Sequence, residues 1–142
     1  PEADNPASVT QVEIDQWVRD GVIENWGFRS NMPEVYRSAS LVCLPSYREG
    51  LPRVLLEAAA CTRAVVTTDA PGCREVVQHG VNGWLVPVRD AGALTAALRE
   101  ALTNADLRRR YALEGRRLVE QHFAAPIIIG QTLALYDELL RN

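Results

Sequence analysis

The chain of 142 residues contains no lysine, so arginine supplies all 15 of its basic side chains. Acidic residues outnumber them, which gives a formal net charge of -3 and a pI of about 5.4. Domains that bind nucleic acid or anionic surfaces carry a clustered basic excess instead. We therefore expect no nucleic-acid partner, and we interpret the one local cluster, Arg108–Arg110, as a solvated helix face.

Cysteine and histidine are also scarce. The cysteines Cys43, Cys61 and Cys73 are odd in number and lack the spacing of a metal site. Neither His79 nor His122 sits in a metal or catalytic-triad spacing, so we expect both to be structural or surface residues. Reduced thiols fit a cytoplasmic protein best.

Long hydrophobic runs are absent as well. The chain opens without a basic-then-apolar leader, and no uninterrupted apolar run reaches the ~20 residues that span a bilayer. Export and integral membrane insertion are therefore both disfavoured.

Short apolar runs alternate with helical segments along most of the chain. We predict four strands: Val22–Trp26, Leu41–Leu44, Ala64–Thr68 and Trp84–Val86. This order indicates an α/β fold, a truncated doubly wound (Rossmann-like) parallel sheet of about four strands with helices on both faces. Such sheets usually have five or six strands, so we expect residues 1–142 to be a single domain and a piece of a longer protein.

Helix boundaries are marked by capping residues. Thr10 and Glu13 form a capping box for a helix that stops at Gly21, and Asp90 and Asn104 are predicted N-caps of two long helices. A helical C-terminal tail then carries an apolar stripe at helical spacing: Ile129, Leu133, Tyr136 and Leu140.

The most informative segment lies between the second predicted strand and its helix. Glu49 and Glu57 stand on either side of a loop that enters a helix N-terminus at Pro52. Ligands of open parallel sheets bind at the carboxyl ends of the strands. The backbone N–H groups near Gly50, Leu51 and Arg53 are candidates to face an anion there.

Two interpretations of the acidic pair stay open from the residues alone. Glu49 either complements the helix dipole or binds a ligand, and Glu57 is either solvated or partly buried beside Ala58–Ala60. A buried carboxylate needs partners, and a carboxylate accepts hydrogen bonds well from vicinal sugar hydroxyls. Together with a phosphate at the helix start, this pattern favours a nucleotide sugar.

At these residues the chain resembles the C-terminal, donor-binding domain of the retaining GT-B-type glycosyltransferases of family 4, the glycosyl transferases group 1. The motifs match in order and spacing from about Val22 to Leu140. They are Met32-Pro-Glu-Val-Tyr36, Pro45-Ser46, the acidic pair with Gly50-Leu51-Pro52, Val65-Val-Thr-Thr68, Gly72 with Glu75, and Gly80-Val-Asn-Gly83. The turn Cys61–Ala64 departs from the family, which usually carries a glycine and a proline there, and we expect it to be strained.

The resemblance implies roles for individual residues. Glu49 would contact the donor hexose as the catalytic acidic residue, and Glu57 would hold the ribose hydroxyls. The amides of Gly50 and Leu51 would meet the hexose and the pyrophosphate. The remaining candidate donor-binding residues include Phe28 and Arg29, which would border the nucleobase mainly through backbone groups, and Arg48 and Arg53, which would assist binding of the donor phosphate or hexose. Ser46 would either hydrogen-bond locally in the turn or reach the donor.

The resemblance also implies a reaction. A hexose would pass from a nucleotide sugar, by the motif variant a UDP-sugar, to a saccharide or lipid-linked acceptor with retention, in polysaccharide or glycolipid biosynthesis. No Asp-x-Asp motif is present, so neither a metal nor another cofactor is expected. The acceptor would bind an N-terminal domain outside this chain, which alone would be inactive.

Location and assembly follow from the same resemblance. The full-length enzyme would be cytoplasmic, either free or peripherally associated with the cytoplasmic membrane face. A sheet that lacks its first strands exposes an edge through which two copies can associate.

Two other functions remain alternatives. One is a GT-B-type sugar epimerase or phosphorylase that uses the same groove. The other is a flavodoxin-like, non-catalytic interaction module, for which Glu57 would be exposed and away from any cleft.

Overall fold

A computed structural model describes residues 9–141 of the chain. They form three parallel strands and seven helices within that range. In chain order these are α1 (Gln11–Arg19), α2 (Met32–Ser38), β1 (Leu41–Leu44), α3 (Arg53–Ala60), β2 (Ala64–Thr68), α4 (Cys73–Val76), β3 (Trp84–Val86), α5 (Ala91–Thr103), α6 (Ala105–His122) and α7 (Ala125–Leu140).

The chain divides into two compact units, Pro1–Asn31 and Met32–Asn142. In the first unit, the predicted capping box is confirmed. The Thr10 side chain accepts a hydrogen bond from the Glu13 N–H, and the Glu13 side chain accepts one from the Thr10 N–H. The helix ends where predicted, with Gly21 in the left-handed region at a φ of 69°.

The predicted strand Val22–Trp26 is wrong, because this segment has no regular structure. The N–H groups of Val22 and Ile23 donate instead to the Trp17 carbonyl at the end of α1. Backbone donors used to close a helix terminus are not available for a strand ladder. The sheet therefore has three strands among the described residues, not about four.

The second unit holds the sheet, in the order β1-β2-β3 with both pairs parallel. Every residue of the central strand β2 is buried. Side chains alternate across a strand, so Val65 packs with one apolar cluster and Ala64 and Val66 pack with another.

Helices cover both faces of this sheet, which confirms the predicted α/β architecture. The first cluster takes Tyr36 from α2 and Leu55 from α3, while the second takes Ala101 from α5 and Tyr111 from α6. The predicted N-caps are also confirmed, since Asp90 accepts from the Ala93 N–H and Asn104 from the Leu107 N–H.

The predicted C-terminal helical tail is confirmed as α7. None of the side chains of α7 is buried among the described residues, so the apolar stripe of Ile129, Leu133 and Tyr136 lies exposed. By length and composition alone, the helical stretch Ala105–Leu140 also meets the requirement for a membrane span, with a mean hydropathy of 1.2 over its most apolar window.

Candidate functional site

Two buried threonines of β2 fix the loop that follows β1. The Thr67 hydroxyl donates to the Leu44 carbonyl at 2.7 Å, and the Thr68 hydroxyl donates to the Ser46 carbonyl. Both threonines are at most 4% exposed. Because buried hydroxyls need partners, these bonds tie the start of the loop to the carboxyl edge of the sheet.

A glycine before α4 fixes the other end of the same loop. Gly72 has a φ of 51°, and a Cβ built there would lie 2.1 Å from the Gly50 carbonyl oxygen and 2.7 Å from that of Glu49. Only a residue without a Cβ permits this approach. The backbone of Glu49 and Gly50 is therefore held between β2 and the start of α4.

Glu49 lies half-buried in this loop. The Ser46 hydroxyl donates to its Oε1 at 2.5 Å. Its Oε2 has no hydrogen-bond partner within residues 9–141. One carboxylate oxygen is thus oriented by the protein, and the other is free to accept from a ligand hydroxyl.

Glu57 lies in the second turn of α3 and is engaged at both oxygens. The Tyr36 hydroxyl donates to Oε2 at 3.1 Å, and the Arg53 guanidinium donates to Oε1 at 3.2 Å. The Glu57 side chain is 39% exposed, whereas Tyr36 is 4% exposed. The partners expected for a partly buried carboxylate are therefore present.

Tyr36 is a site residue whose contact the sequence does not reveal. Burial, and next the hydrogen bond to Glu57, raise the pKa of Tyr36 to about 12. Its hydroxyl therefore stays protonated at neutral pH and acts as the hydrogen-bond donor to the Glu57 carboxylate. The one signal in the sequence is its place in the motif Met32-Pro-Glu-Val-Tyr36.

The N-terminus of α3 lies between the two carboxylates. Pro52 is its N-cap residue and supplies no side-chain hydrogen bond to the first turn. A Cβ added at Gly50 would meet nothing within 4 Å, so space for a ligand opens in front of this backbone. Uncapped N–H groups and the helix dipole together favour an anion at this point.

Further groups stand at the same edge of the sheet. Leu51 and Arg48 are exposed, as is Arg53. A cavity of about 220 Å³ lies where the strands end, and Tyr47 and Arg89 line it. The Arg89 guanidinium is 5.6 Å from the centre of the Tyr47 ring, a cation–π distance. Sequence reasoning missed Arg89, which follows β3 and has a φ of 61°.

Phe28 and Arg29 belong to the first unit, Pro1–Asn31. Phe28 is 94% exposed, and the Arg29 guanidinium lies 5.9 Å from the centre of the Trp26 ring. Their assignment to the nucleobase stays a prediction.

The histidines and cysteines form no site in the described part of the chain. The Nδ1 of His79 accepts from the Leu85 N–H at 3.1 Å, a structural contact. No group of three or more metal-binding side chains occurs between residues 9 and 141.

Comparison with known proteins places this geometry in a family. The family model of the glycosyl transferases group 1 matches residues 3–104. A curated relative, the N,N'-diacetylbacillosaminyl-diphospho-undecaprenol alpha-1,3-N-acetylgalactosaminyltransferase of Campylobacter jejuni, is 30% identical over 89% of this chain and 34% of its own. The alpha-maltose-1-phosphate synthase of Mycolicibacterium smegmatis is 38% identical over 75% of this chain and 29% of its own.

Solved structures agree with that match. The Anabaena protein HepE, in a crystal structure with UDP, has a TM-score of 0.82 and 26% identity over 88% of this chain and 35% of its own. The sucrose-phosphate synthase of Thermosynechococcus elongatus has a TM-score of 0.79 and 29% identity over 92% of this chain and 34% of its own. The chain thus spans about a third of the length of these relatives. It belongs to the glycosyl transferases group 1 family, as part of a C-terminal domain of the GT-B type.

Proposed function

We propose that the chain is the donor-binding part of a retaining glycosyltransferase. The complete enzyme would transfer a hexose from a UDP-sugar to a saccharide or lipid-linked acceptor in polysaccharide or glycolipid biosynthesis. The observation that carries this proposal is the pair of separately held carboxylates, Glu49 and Glu57, on either side of the uncapped α3 N-terminus. Family membership and the UDP bound to HepE support it.

Glu57 is assigned to the ribose. The Tyr36 hydroxyl fixes Oε2, so the carboxylate plane keeps one direction before the donor arrives. The bond from Arg53 to Oε1 is exposed and easily exchanged, since the Arg53 side chain is 87% exposed. Two vicinal ribose hydroxyls can then donate to the carboxylate in its place.

Glu49 is assigned to the hexose. Its free Oε2 accepts a sugar hydroxyl while Ser46 holds Oε1. The N–H groups of Gly50 and Leu51 and the first turn of α3 lie beside it, where the leaving nucleotide diphosphate gains negative charge. Donors that are already in place stabilise such charge without reorganisation, which is the largest contribution in many enzymes.

The chain supplies only the donor side of this reaction. The acceptor site is assigned to the part of the relatives that this chain does not match, so we expect the isolated 142-residue chain to show no turnover. Activity assays should therefore use the protein as its gene encodes it.

Isothermal titration with UDP tests the ribose assignment. We expect Glu57→Ala to weaken UDP binding roughly 10- to 100-fold, since hydrogen bonds to a charged group contribute about 1.5–3 kcal/mol. Glu120→Ala is the matched control, because Glu120 also pairs with an arginine four residues earlier, on α6. Equal UDP affinity in the two variants would refute the assignment.

Product analysis tests the reaction type. With UDP-glucose and an acceptor pool, NMR of the product should show the anomeric configuration of the donor. An epimerase would convert the UDP-sugar with no acceptor, and a phosphorylase would require inorganic phosphate. Either result would replace the transferase proposal while leaving the UDP site intact.

A further inference from the structure

A basic cavity of the described chain lies at the amino ends of the strands. It has a volume of about 570 Å³ and is lined by Ser40 before β1, by Thr62 and Arg63 before β2, by Ala64 at the start of β2 and by the first half of α6. Glu49 and Glu57 follow β1 at its carboxyl end. A strand of four residues separates the two edges by roughly 13 Å. This cavity is therefore distinct from the proposed donor site.

The cavity concentrates positive charge in an acidic protein. Arg63, Arg108 and Arg109 line it, against a single carboxylate, Asp106. Ala105, the first residue of α6, also lines it, so the positive end of an 18-residue helix faces the same space. Three guanidinium groups and a helix N-terminus outweigh one carboxylate.

These arginines are not all committed to structural bonds. Arg108 Nη1 donates to the Ala101 carbonyl at 2.7 Å and to that of Leu102 at 3.1 Å, closing the end of α5. Arg109 and Arg110 are exposed, as predicted for a solvated helix face, whereas Arg108 differs because it is partly buried and bonds to α5. Arg63 and Arg109 make no side-chain hydrogen bond or ion pair with any other residue in the range 9–141.

The Arg63 side chain lines the cavity and also contains a buried donor. Its Nε–H is buried and has no hydrogen-bond partner among the described residues. Native proteins leave few such donors unpaired, because each one loses its hydration without compensation. The turn holds Arg63 there firmly, with its backbone N–H bonded to the Ala58 carbonyl at 2.9 Å and Thr62 at a φ of 56°.

We infer that this cavity binds a phosphate monoester. A dianion matches the excess of guanidinium charge better than a carboxylate does, and arginine pairs with phosphate oxygens in a bidentate manner. The volume lies within the usual range for small-molecule sites and exceeds that of inorganic phosphate alone. The ester group can rest on the apolar lining, Ala112 and Leu113.

NMR of the arginine Nε–H signals tests this site directly. The protein, as its gene encodes it, is first saturated with UDP so that any phosphate site near Gly50 is filled. Glycerol 3-phosphate is then added as the soluble probe, and phosphatidylcholine vesicles containing phosphatidic acid serve as the lipid probe. We expect a saturable shift of the Arg63 signal with one of the two probes.

Variants make the test specific. Arg63→Gln and Arg109→Gln should each weaken binding of the effective probe at least tenfold, by titration calorimetry or vesicle flotation. Arg109 is exposed, so we expect Arg109→Gln to leave the fold intact. This variant therefore tests the site even if Arg63→Gln lowers the stability of the protein. Arg117→Gln is the charge-matched control, because Arg117 lies on the same helix and pairs with Glu114 outside the cavity.

The outcomes separate cleanly. Binding of the soluble ester that depends on Arg63 and Arg109 supports a small phosphorylated ligand, and binding of vesicles alone supports a lipid phosphate. No response to either probe, or equal losses in all three variants, overturns the inference. UDP affinity and the Glu57→Ala result do not enter this comparison, so failure of the proposed function would leave the inference standing.

Discussion

Replacement of Gly72 by alanine probes how the loop of Glu49 is held. The added Cβ would lie 2.1 Å from the Gly50 carbonyl oxygen, a distance that only movement of the backbone can relieve. Overpacking of this kind costs about 1–3 kcal/mol. The left-handed φ of 51° adds a further ~1–2 kcal/mol. The variant should lose roughly 2–5 kcal/mol of its free energy of unfolding.

Gly80→Ala separates these two costs. Gly80 also has a left-handed φ, of 79°, but a Cβ there meets only the Tyr111 hydroxyl at 3.9 Å, an ordinary contact. We expect this variant to lose only the conformational share, about 1–2 kcal/mol. The difference between the variants therefore measures the contact of Gly72 with the loop.

Urea denaturation followed by circular dichroism measures both variants. At a typical slope of about 2 kcal/mol/M, Gly72→Ala should lower the midpoint by roughly 1–2.5 M and Gly80→Ala by less than about 1 M. Titration with UDP-glucose should show weaker binding for Gly72→Ala alone, because the displaced loop carries Glu49. Equal midpoints and equal affinities in the two variants would refute the reasoning.

Three further predictions concern single side chains. The contribution of Tyr36 to the free energy of unfolding should be constant below about pH 10 and should decrease as the pH rises from about 10 to about 12, because folded Tyr36 holds its proton more tightly than the unfolded chain does. Urea titrations between these values should show this loss disappear in Tyr36→Phe and persist in Tyr136→Phe. Calorimetry should show that Ser46→Ala weakens UDP-glucose binding several-fold but leaves UDP binding unchanged. The reason is that Ser46 contacts Glu49, assigned to the hexose, and not Glu57, assigned to the ribose. An equal loss of affinity for both ligands would contradict this prediction. Asn104→Ala should cost about 1 kcal/mol in urea denaturation through the lost cap of α6, and an unchanged midpoint would count against it.

Local signals predicted most of the fold. The three confirmed strands are short apolar runs, and the helices that follow Thr10, Asp90 and Asn104 begin with side-chain caps. Each of these features depends on residues close together in the chain, so it can be recognised from the sequence alone. The strained turn before β2 was also predicted, and Thr62 has the left-handed φ of 56°.

The error at Val22–Trp26 has the opposite cause. An apolar run becomes a strand only where another strand offers hydrogen bonds, and that partner is not encoded in the run itself. Val22 is 70% exposed, and its N–H closes α1 instead. The apolar stripe of α7 has a similar limit, since helical spacing identifies an apolar face but not what covers it.

The candidate site shows the same division. The sequence places Glu49 and Glu57 on one loop and helix, yet the groups that orient the site come from elsewhere. Tyr36 lies 21 residues before Glu57 and Thr68 lies 22 residues after Ser46. Contacts at such separations depend on how α2 packs against α3 and how β2 pairs with β1. Local sequence patterns do not predict this packing.

The topology of the second unit places a helix N-terminus at each of the two edges of its sheet. Helix α3 follows β1, so its N-terminus lies at the carboxyl edge, where parallel sheets bind their ligands. Helix α5 also starts at that edge, since Asp90 and Ala91 line the cavity beside Tyr47. Only one residue separates α5 from α6, so α6 must begin where α5 ends, at the amino edge. The antiparallel pair of α5 and α6 thus brings a second helix N-terminus close to Arg63. The position of this cavity follows from the direction in which α5 and α6 run, so no sequence motif marks it.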